Sequence, residues 1–227
     1  MMQPHDRLVV ALDVSARDEI LRLVDTLAGT VGIFKIGLQA FIANGPGIVR
    51  DVVARGERVF LDLKIHDIPN TARHAVAEAA SLGASIATVH AAGGEAMLRA
   101  CNHDSLLVLG VTILTSLTEA DLLQIGLGGS AIDNVVRLAR LAQASGLRGV
   151  VASPLEIQPI REACGDGFVI LTPGIRPKGA DVGDQQRVMT PGEAVRAGAT
   201  YIVVGRPITN AADPRSAALK IAEEMAI

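Results

Sequence analysis

A ten-residue segment, DLKIHDIPNT at positions 62–71, carries a carboxylate and an ammonium directly after an apolar run. The run at 59–61 predicts a strand, in which alternate side chains share a face, so Asp62 and Lys64 lie side by side. Burying such a pair costs several kcal/mol per ion before their mutual attraction is counted. A strand with no further task would carry Val or Ile there, so the pair indicates a catalytic site. A structural ion pair is the alternative that these residues leave open.

The elements that must position these charges are short apolar strands separated by segments with helical periodicity. The apolar runs predict eight strands, at 8–12, 33–36, 59–64, 86–90, 107–112, 149–152, 169–171 and 201–204. Helical periodicity is clearest at 18–27, 71–82, 131–144 and 191–197. Repeated βα units over 227 residues predict a (β/α)8 TIM barrel, an α/β fold of about 250 residues in typical cases.

A doubly wound α/β sheet is the alternative fold. Its dinucleotide-binding form would show Gly-x-Gly-x-x-Gly after the first strand, whereas the residues that follow Asp13 are VSA, without a glycine. No change of composition and no Pro- or Ser-rich linker marks a domain boundary. We therefore expect one domain, residues 1–227, that is built as a closed barrel.

The predicted barrel brings charged side chains of alternating sign to neighbouring strand ends. Asp13 follows the first strand and Lys35 lies at the end of the second. Asp62 and Lys64 end the third strand. Catalytic groups of TIM barrels lie at the C-terminal ends of the strands. The order acid, base, acid, base along one arc of the barrel mouth therefore predicts a connected charge network.

The loops after strands seven and eight contain glycine and arginine, at the place where such barrels commonly bind phosphate. Gly205 lets a backbone N–H approach an anion, and the neighbouring Arg206 offers a guanidinium fork. Arg176 begins a polar segment, 176–187, which has no apolar period and predicts a long loop that closes as a lid. This side of the mouth is therefore expected to bind a phosphate group.

Composition limits the partners of the chain and the kinds of site it can hold. The net charge of −3 gives no reason to expect nucleic acid, and the 2% of aromatic residues leave no base-stacking platform. No apolar run approaches the roughly 20 residues that cross a membrane. Cys101 and Cys164 lack metal-ligand spacing and predict free thiols in a reducing cytoplasm. No His-x-His or His-Glu-x-x-His motif occurs, so no metal site is expected.

Several motifs occur in order along nearly the whole chain and together resemble one enzyme family. They are ALD at 11–13, KIG at 35–37, DLKIHDIPNT at 62–71, VTILTS at 111–116, PGIR at 173–176 and VGRPI at 204–208. This set is similar to the orotidine 5'-phosphate decarboxylases. The Asp-x-Lys-x-x-Asp core is shared with related sugar-phosphate decarboxylases and aldolases, whereas the continuation IPNT is specific to the orotidylate enzymes.

The resemblance implies a reaction without cofactor or metal. Members of the family convert orotidine 5'-monophosphate to uridine 5'-monophosphate, the last step of de novo pyrimidine synthesis, by loss of CO₂ from C6. The resemblance implies that Lys64 is the general acid that protonates C6 and that Asp62 lies beside the substrate carboxylate. It also implies a homodimer with shared active sites. The residues implied to complete the partner's site are Asp67, Ile68 and Thr71.

The resemblance also implies roles for residues elsewhere in the barrel mouth. Asp13 and Lys35 would hold ribose hydroxyls and extend the charge network. Thr115 would contact the pyrimidine, and Gln185 would bridge the base and the phosphate. The residues implied at the phosphate end are Arg176, Gly205 and Arg206.

Two other functions use the same features. A metal-dependent sugar-phosphate decarboxylase or aldolase could be built on the Asp-x-Lys-x-x-Asp core, but it would need a carboxylate-rich metal site. A non-catalytic barrel that senses a nucleotide or a sugar phosphate would keep Arg206 and could lose Lys64. The IPNT continuation and Gln185 argue against the first function, and the retained mouth charges argue against the second.

Overall fold

Parallel strands close into a barrel with helices around it in this protein, as the sequence predicts. The structure is a computed structural model that describes residues 2–177 and 189–226. Each strand pairs with the next in chain order, and the last pairs with the first. The strands are β1 Leu8–Ala11, β2 Ile33–Gly37, β3 Val59–Ile65, β4 Ile86–His90, β5 Leu107–Val111, β6 Gly149–Val151, β7 Val169–Thr172 and β8 Tyr201–Val204.

Helices connect successive strands and form the outer layer. They are α1 Arg17–Leu27, α2 Leu38–Asn44, α3 Gly47–Val53, α4 Pro69–Ser81, α5 Gly94–Ala100, α6 Glu119–Gln124, α7 Ala131–Ala144, α8 Ile157–Cys164, α9 Pro191–Ala197, α10 Arg206–Thr209 and α11 Pro214–Glu224. Short 3₁₀ turns lie at Pro4–Arg7, Ala91–Gly93 and Pro154–Glu156. The predicted strands and helices are confirmed, with bounds within two residues of those observed.

Helix α7 shows how the local sequence produces these elements. The hydroxyl of Ser130 accepts a hydrogen bond from the backbone N–H of Asp133, which caps the first turn. Val135, Leu138 and Ala142 then recur at helical spacing and are buried against the barrel. The helix is therefore fixed by a polar start and an apolar stripe, and it packs behind β5 and β6.

Alternation along the strands divides the apolar core into two layers. One set of side chains packs between the strands and the surrounding helices, and Phe34 is among its fully buried members. The other set packs together in the barrel interior. The interior set is Val9, Ala11, Ile33, Phe60, Ile86, Leu109, Leu171, Tyr201 and Val203. Burial of each large side chain contributes about 1.5–3 kcal/mol, so this interior, aliphatic except for Phe60 and Tyr201, stabilises the barrel.

The ends of the segment after β7 lie close together. Ile175 and Met189 form an isolated parallel bridge, and the backbone N–H of Arg176 donates to the carbonyl of Met189 at 3.1 Å. The lid expected at 176–187 lies mainly outside the described residues. Within residues 2–177 and 189–226, no helix is long and apolar enough to span a membrane. Cys101 and Cys164 are free thiols, as predicted.

Gly149 of β6 lies where the neighbouring strands leave no room for a Cβ atom. A Cβ at this position would lie 2.5 Å from the Cβ of Val169 and 2.9 Å from Cδ2 of Leu109, and would also contact the carbonyl of Val169. Two neighbouring strands therefore close on this position from both sides. Only a residue without a side chain allows β6 to pair with both of them.

We predict that Gly149→Ala destabilises the protein. Overpacking of this kind costs about 1–3 kcal/mol, because the neighbouring backbone has to shift. Denaturant unfolding should show this loss in the free energy of unfolding. Gly167→Ala is the control, since a Cβ there meets nothing within 4 Å, and its effect should stay within about 0.5 kcal/mol. Equal stability of the two variants would contradict the packing argument.

Candidate active site

The barrel mouth contains a cavity of about 540 Å³ at the C-terminal ends of the strands. We call this cavity the mouth pocket. Its two sides differ in chemistry. Charged residues come from the β1–β3 side, namely Asp13, Lys35, Asp62 and Lys64. Apolar residues come from β5–β8, namely Val111, Val151, Leu171 and Val203. A ligand in the pocket would therefore meet fixed charges on one side and an aliphatic wall on the other.

The four charges form a continuous network in the order expected from the sequence. The Nζ of Lys35 lies 2.8 Å from Oδ1 of Asp13 and 3.9 Å from Oδ2 of Asp62. The Nζ of Lys64 lies 2.8 Å from the same Oδ2 of Asp62. Asp62 therefore stands between two ammonium groups, and its side chain is only 13% exposed. Opposite charges at these distances in a partly buried site interact more strongly than surface ion pairs do.

Strand β3 carries these charges on a locally irregular backbone. Leu61 pairs with Ala87 and Ile65 pairs with Val89, so four steps along β3 face two steps along β4. Lys64, within this bulge, has a φ of 52° and is the one non-glycine residue with positive φ in the described part of the chain. A left-handed conformation of this kind costs on the order of 1–3 kcal/mol. The sequence predicts the strand and the shared pocket face of Asp62 and Lys64, but it does not predict the bulge.

Two residues that sequence reasoning did not assign support the network. A Cβ at Gly37 would lie 2.9 Å from Nζ of Lys35 and 3.1 Å from Oδ1 of Asp13, so glycine leaves room for this ion pair. Thr88 of β4 contacts Asp62 through its hydroxyl. Gly37 could have been found because it follows Lys35 by two positions on the same face. Thr88 gave no comparable signal, because threonine is common in any strand.

The second half of the DLKIHDIPNT segment turns away from the mouth pocket of its own chain. Asp67, Ile68 and Thr71 are exposed, and none is among the described residues that line the pocket. Oδ1 of Asp67 accepts a hydrogen bond from the backbone N–H of Ile68 at 2.7 Å. The side chain of Ile68 leaves an apolar surface in solvent, since this residue is 67% exposed.

The remaining predicted residues lie on the opposite rim, with one outside the described residues. Thr115, Arg176, Gly205 and Arg206 all line the mouth pocket. Gly205 precedes α10, and a Cβ there would approach no described atom closer than 3.5 Å. The space beside Gly205 is therefore open to a ligand. The predicted residue Gln185 lies outside the described residues.

Two polar side chains of the rim were missed by sequence reasoning. Thr209 and Asn210 line the pocket together with Arg206, from the end of α10 and the residue after it. They follow Arg206 by three and four positions, which is about one helical turn. The sequence would have placed these two side chains beside Arg206 only if a helix had been predicted directly after the Gly-Arg pair.

His90 ends β4 close to the charge network. Its ring centroid lies 5.4 Å from that of His66. Burial lowers the pKa of His90, and the neighbouring His66 and Lys64 lower it further, while Asp62 acts in the opposite direction. The neutral imidazole is therefore favoured at this position. In the part of the chain that the structure describes, no three His, Cys, Asp or Glu side chains group in a way that could hold a metal ion.

Comparisons with known proteins agree on one family. The family model of the orotidine 5'-phosphate decarboxylase / HUMPS family matches residues 6–221. A protein of Heliobacterium modesticaldum named orotidine 5'-phosphate decarboxylase is 50% identical, with 99% of this chain and 98% of the relative covered. A relative of the same name from Moorella thermoacetica is also 50% identical, with 99% and 94% covered. The crystal structure of orotidine 5'-phosphate decarboxylase from Lactobacillus acidophilus superposes with a TM-score of 0.86 at 34% identity, covering 97% of this chain and 99% of that one.

The pKa of His90 generates a prediction about stability. Because this pKa is lowered from 6.5 in the folded protein, the unfolded chain binds a proton more readily at mildly acidic pH. The free energy of unfolding should therefore fall as the pH drops below about 6.5, and His90→Gln should reduce that fall. Unfolding measured between pH 7 and the onset of acid denaturation tests this. His74→Gln, at an exposed site on α4, is the control, and an identical pH profile for wild type and His90→Gln would refute the prediction.

Proposed function

Because this chain belongs to the orotidine 5'-phosphate decarboxylase / HUMPS family, we propose that it converts orotidine 5'-monophosphate to uridine 5'-monophosphate and CO₂. This reaction is the final step of de novo pyrimidine nucleotide synthesis. The observation that carries the proposal is the Lys64 ammonium in the mouth pocket, 2.8 Å from a carboxylate oxygen of Asp62. Relatives that are half identical over the full length of the chain support the decarboxylase among the activities of this family.

Decarboxylation at C6 of the pyrimidine requires charged groups held in fixed positions close to that carbon. When the bond between C6 and the carboxylate breaks, its electron pair stays on C6, and a proton has to reach that carbon. Lys64 supplies the positive charge that stabilises this carbanionic centre and then donates the proton. Asp62 lies beside the departing carboxylate and holds the Lys64 ammonium in place. Charges fixed in advance in a partly dry site stabilise a transition state more than mobile solvent does.

The rest of the mouth pocket suits a nucleotide. Asp13 and Lys35 bind ribose hydroxyls at the end of the charge network, and the aliphatic wall accepts the flat face of the base next to Thr115. Gln185, outside the described residues, is proposed to bridge base and phosphate. The phosphate binds at Arg176, Gly205 and Arg206, on the rim opposite Lys64. Binding energy gained at this remote group can be used to organise the reacting end.

We also propose a homodimer in which each site is completed by its partner. The support is that Asp67, Ile68 and Thr71 are exposed and are not among the described residues that line the pocket of their own chain. A two-fold interface over this segment would cover the apolar surface of Ile68 and bring Asp67 to the partner's Lys64. The free thiols Cys101 and Cys164 fit a reducing cytoplasm, and separation of cell fractions would test this location.

The alternative activity, a metal-dependent sugar-phosphate decarboxylase or aldolase, differs from the proposed one in its need for a divalent metal ion. An enzyme of that kind loses its activity when divalent ions are removed, whereas the proposed decarboxylase chemistry needs none. The decrease in absorbance of orotidine 5'-monophosphate should therefore proceed at the same rate after exhaustive chelation. Loss of activity on chelation, restored by Mg²⁺, would refute the metal-independent mechanism.

We predict that Lys64→Ala separates catalysis from binding. The rate constant kcat should fall by roughly 10³-fold or more, because proton donor and stabilising charge are lost together. Uridine 5'-monophosphate should still bind, since its contacts lie at the ribose and the phosphate. If Lys64 served only as a structural ion pair, its removal would cost about 3–5 kcal/mol of stability. Thermal unfolding measured beside activity distinguishes the two roles, with the exposed Lys220→Ala as the control.

The shared site predicts complementation between two inactive variants. A dimer of one Lys64→Ala subunit and one Asp67→Ala subunit contains one intact site and one doubly altered site. Random exchange makes about half of the dimers mixed, so about a quarter of wild-type activity should return. Mixed dimers should be counted by native mass spectrometry. Mixed dimers without activity would refute the shared site.

A further inference from the structure

Thr88 of β4 is fully buried and joins the two principal residues of the charge network. Its hydroxyl donates a hydrogen bond to Oδ1 of Asp62 at 2.9 Å. The same oxygen accepts a hydrogen bond from the backbone N–H of Lys64 at 3.0 Å. A single hydroxyl thus contacts the carboxylate of one residue and the backbone of the other. Thr88 is not among the described residues that line the mouth pocket. It therefore contacts the lining residues Asp62 and Lys64 from the side away from the pocket.

The bulge of β3 explains why a side chain is required at this place. Between the paired positions Leu61 and Ile65 lie three residues of β3, whereas Thr88 alone lies between Ala87 and Val89 on β4. The extra residues of a bulge lose their regular ladder partners. A buried backbone N–H without an acceptor is costly. The hydroxyl of Thr88 supplies the acceptor for Lys64, whose φ of 52° takes it out of the regular strand conformation.

The hydroxyl also fixes the rotation of the Asp62 carboxylate. Oδ2 of Asp62 lies 2.8 Å from Nζ of Lys64 and 3.9 Å from Nζ of Lys35, and Oδ1 is bound by Thr88. The terminal torsion of an aspartate is broad, so ion pairing at one oxygen leaves the carboxylate plane free to turn. A donor on the other oxygen, from a different strand, removes that freedom. The orientation of the Asp62 carboxylate is therefore fixed by Thr88 at one oxygen and by the two lysines at the other.

We infer that Thr88 is a positioning residue for the decarboxylation, an inference that rests on the proposed function. Its hydroxyl holds the Asp62 carboxylate and the Lys64 backbone in the geometry that the reaction needs, without touching the substrate. Groups that orient catalytic side chains in this way contribute to the rate through pre-organisation. Their loss lowers the rate of the chemical step more than it weakens substrate binding.

Two comparisons isolate the hydroxyl, wild type with Thr88→Val and Thr88→Ser with Thr88→Ala. Thr88→Val replaces the hydroxyl by a methyl group of similar size, and Thr88→Ser keeps the hydroxyl while it removes the methyl group. Thr88→Ala differs from Thr88→Ser by the oxygen alone, which gives a second comparison if Val is poorly accommodated. We expect kcat to fall about 10- to 100-fold in the Val and Ala variants, because a hydrogen bond to a charged group is lost. Thr88→Ser should stay within about 3-fold of wild type, and KM and the affinity for uridine 5'-monophosphate should change less than about 3-fold in all variants.

Thr172 of β7 provides a matched control. It is also a fully buried barrel threonine, and its hydroxyl has no hydrogen-bond partner among the described residues. Thr172→Val makes the same chemical change at a similar depth, so it should leave kcat unchanged. Thermal unfolding of every variant shows whether a loss of activity follows a loss of structure.

The outcomes separate this inference from the proposed function. If the wild type does not decarboxylate orotidine 5'-monophosphate, the proposed function fails and the inference fails with it. If the wild type is active and the Val and Ala variants keep its kcat, only the inference is overturned. The inference is also overturned if Thr88→Ser loses as much kcat as Thr88→Ala, or if KM rises in parallel with the fall of kcat. A loss confined to kcat that Thr88→Ser restores supports it.

Discussion

The ion pair between Asp62 and Lys64 is the interaction on which the rest of the mouth depends. A carboxylate that is mostly removed from water is tolerable only with cations at hand, and Asp62 has Lys64 at 2.8 Å and Lys35 at 3.9 Å. Lys35 in turn is balanced by Asp13, which reaches toward solvent. The charged side chains thus alternate in sign from the buried carboxylate out to the solvent. Each of them lowers the free-energy cost of burying its neighbour. Removal of Lys35, Asp62 or Lys64 leaves a neighbouring buried charge without its counter-charge. The four residues therefore stabilise one another as one network and not as independent pairs.

The two sides of the mouth follow from the order of strands in the chain. The β1–β3 side contributes the charges, and strands β5 to β8 contribute one apolar side chain each, three valines and one leucine. Because a barrel closes in sequence order, the first part of the chain becomes the polar arc and the second part the apolar arc. The apolar arc lowers the local dielectric and strengthens the charges it faces. Polar groups reappear at the rim, with Thr115 after β5, Arg176 after β7, and Arg206 and Asn210 after β8.

Much of the fold and part of the site could be predicted because they depend on local patterns. Short, β-branched runs such as 86–90 that lie between helical segments indicate strands buried on both faces, and a barrel brings the ends of neighbouring strands together. The bulge in β3 could not be predicted, because it depends on how two strands pair and not on the residues of one. Thr88 was missed for the same reason, because its role depends on its hydrogen bonds to Asp62 and Lys64 of the neighbouring strand β3. The roles proposed for Asp67 and Gln185 follow from the family resemblance, because no local pattern of apolar and polar residues identifies them.

The left-handed backbone of Lys64 combines two opposing contributions to stability at one position, backbone strain and a buried ion pair. Glycine adopts a φ of 52° with little penalty, whereas lysine does not. Glycine at position 64 would therefore relieve about 1–3 kcal/mol of backbone strain, but it would leave the Asp62 carboxylate without its nearest cation, at a cost of about 3–5 kcal/mol. A search for stabilising substitutions that considered the backbone alone would choose glycine here and would lose more free energy of folding than it gained. Engineering of a hardier form of this barrel has to look for its gains elsewhere, in the helical layer or the lower interior.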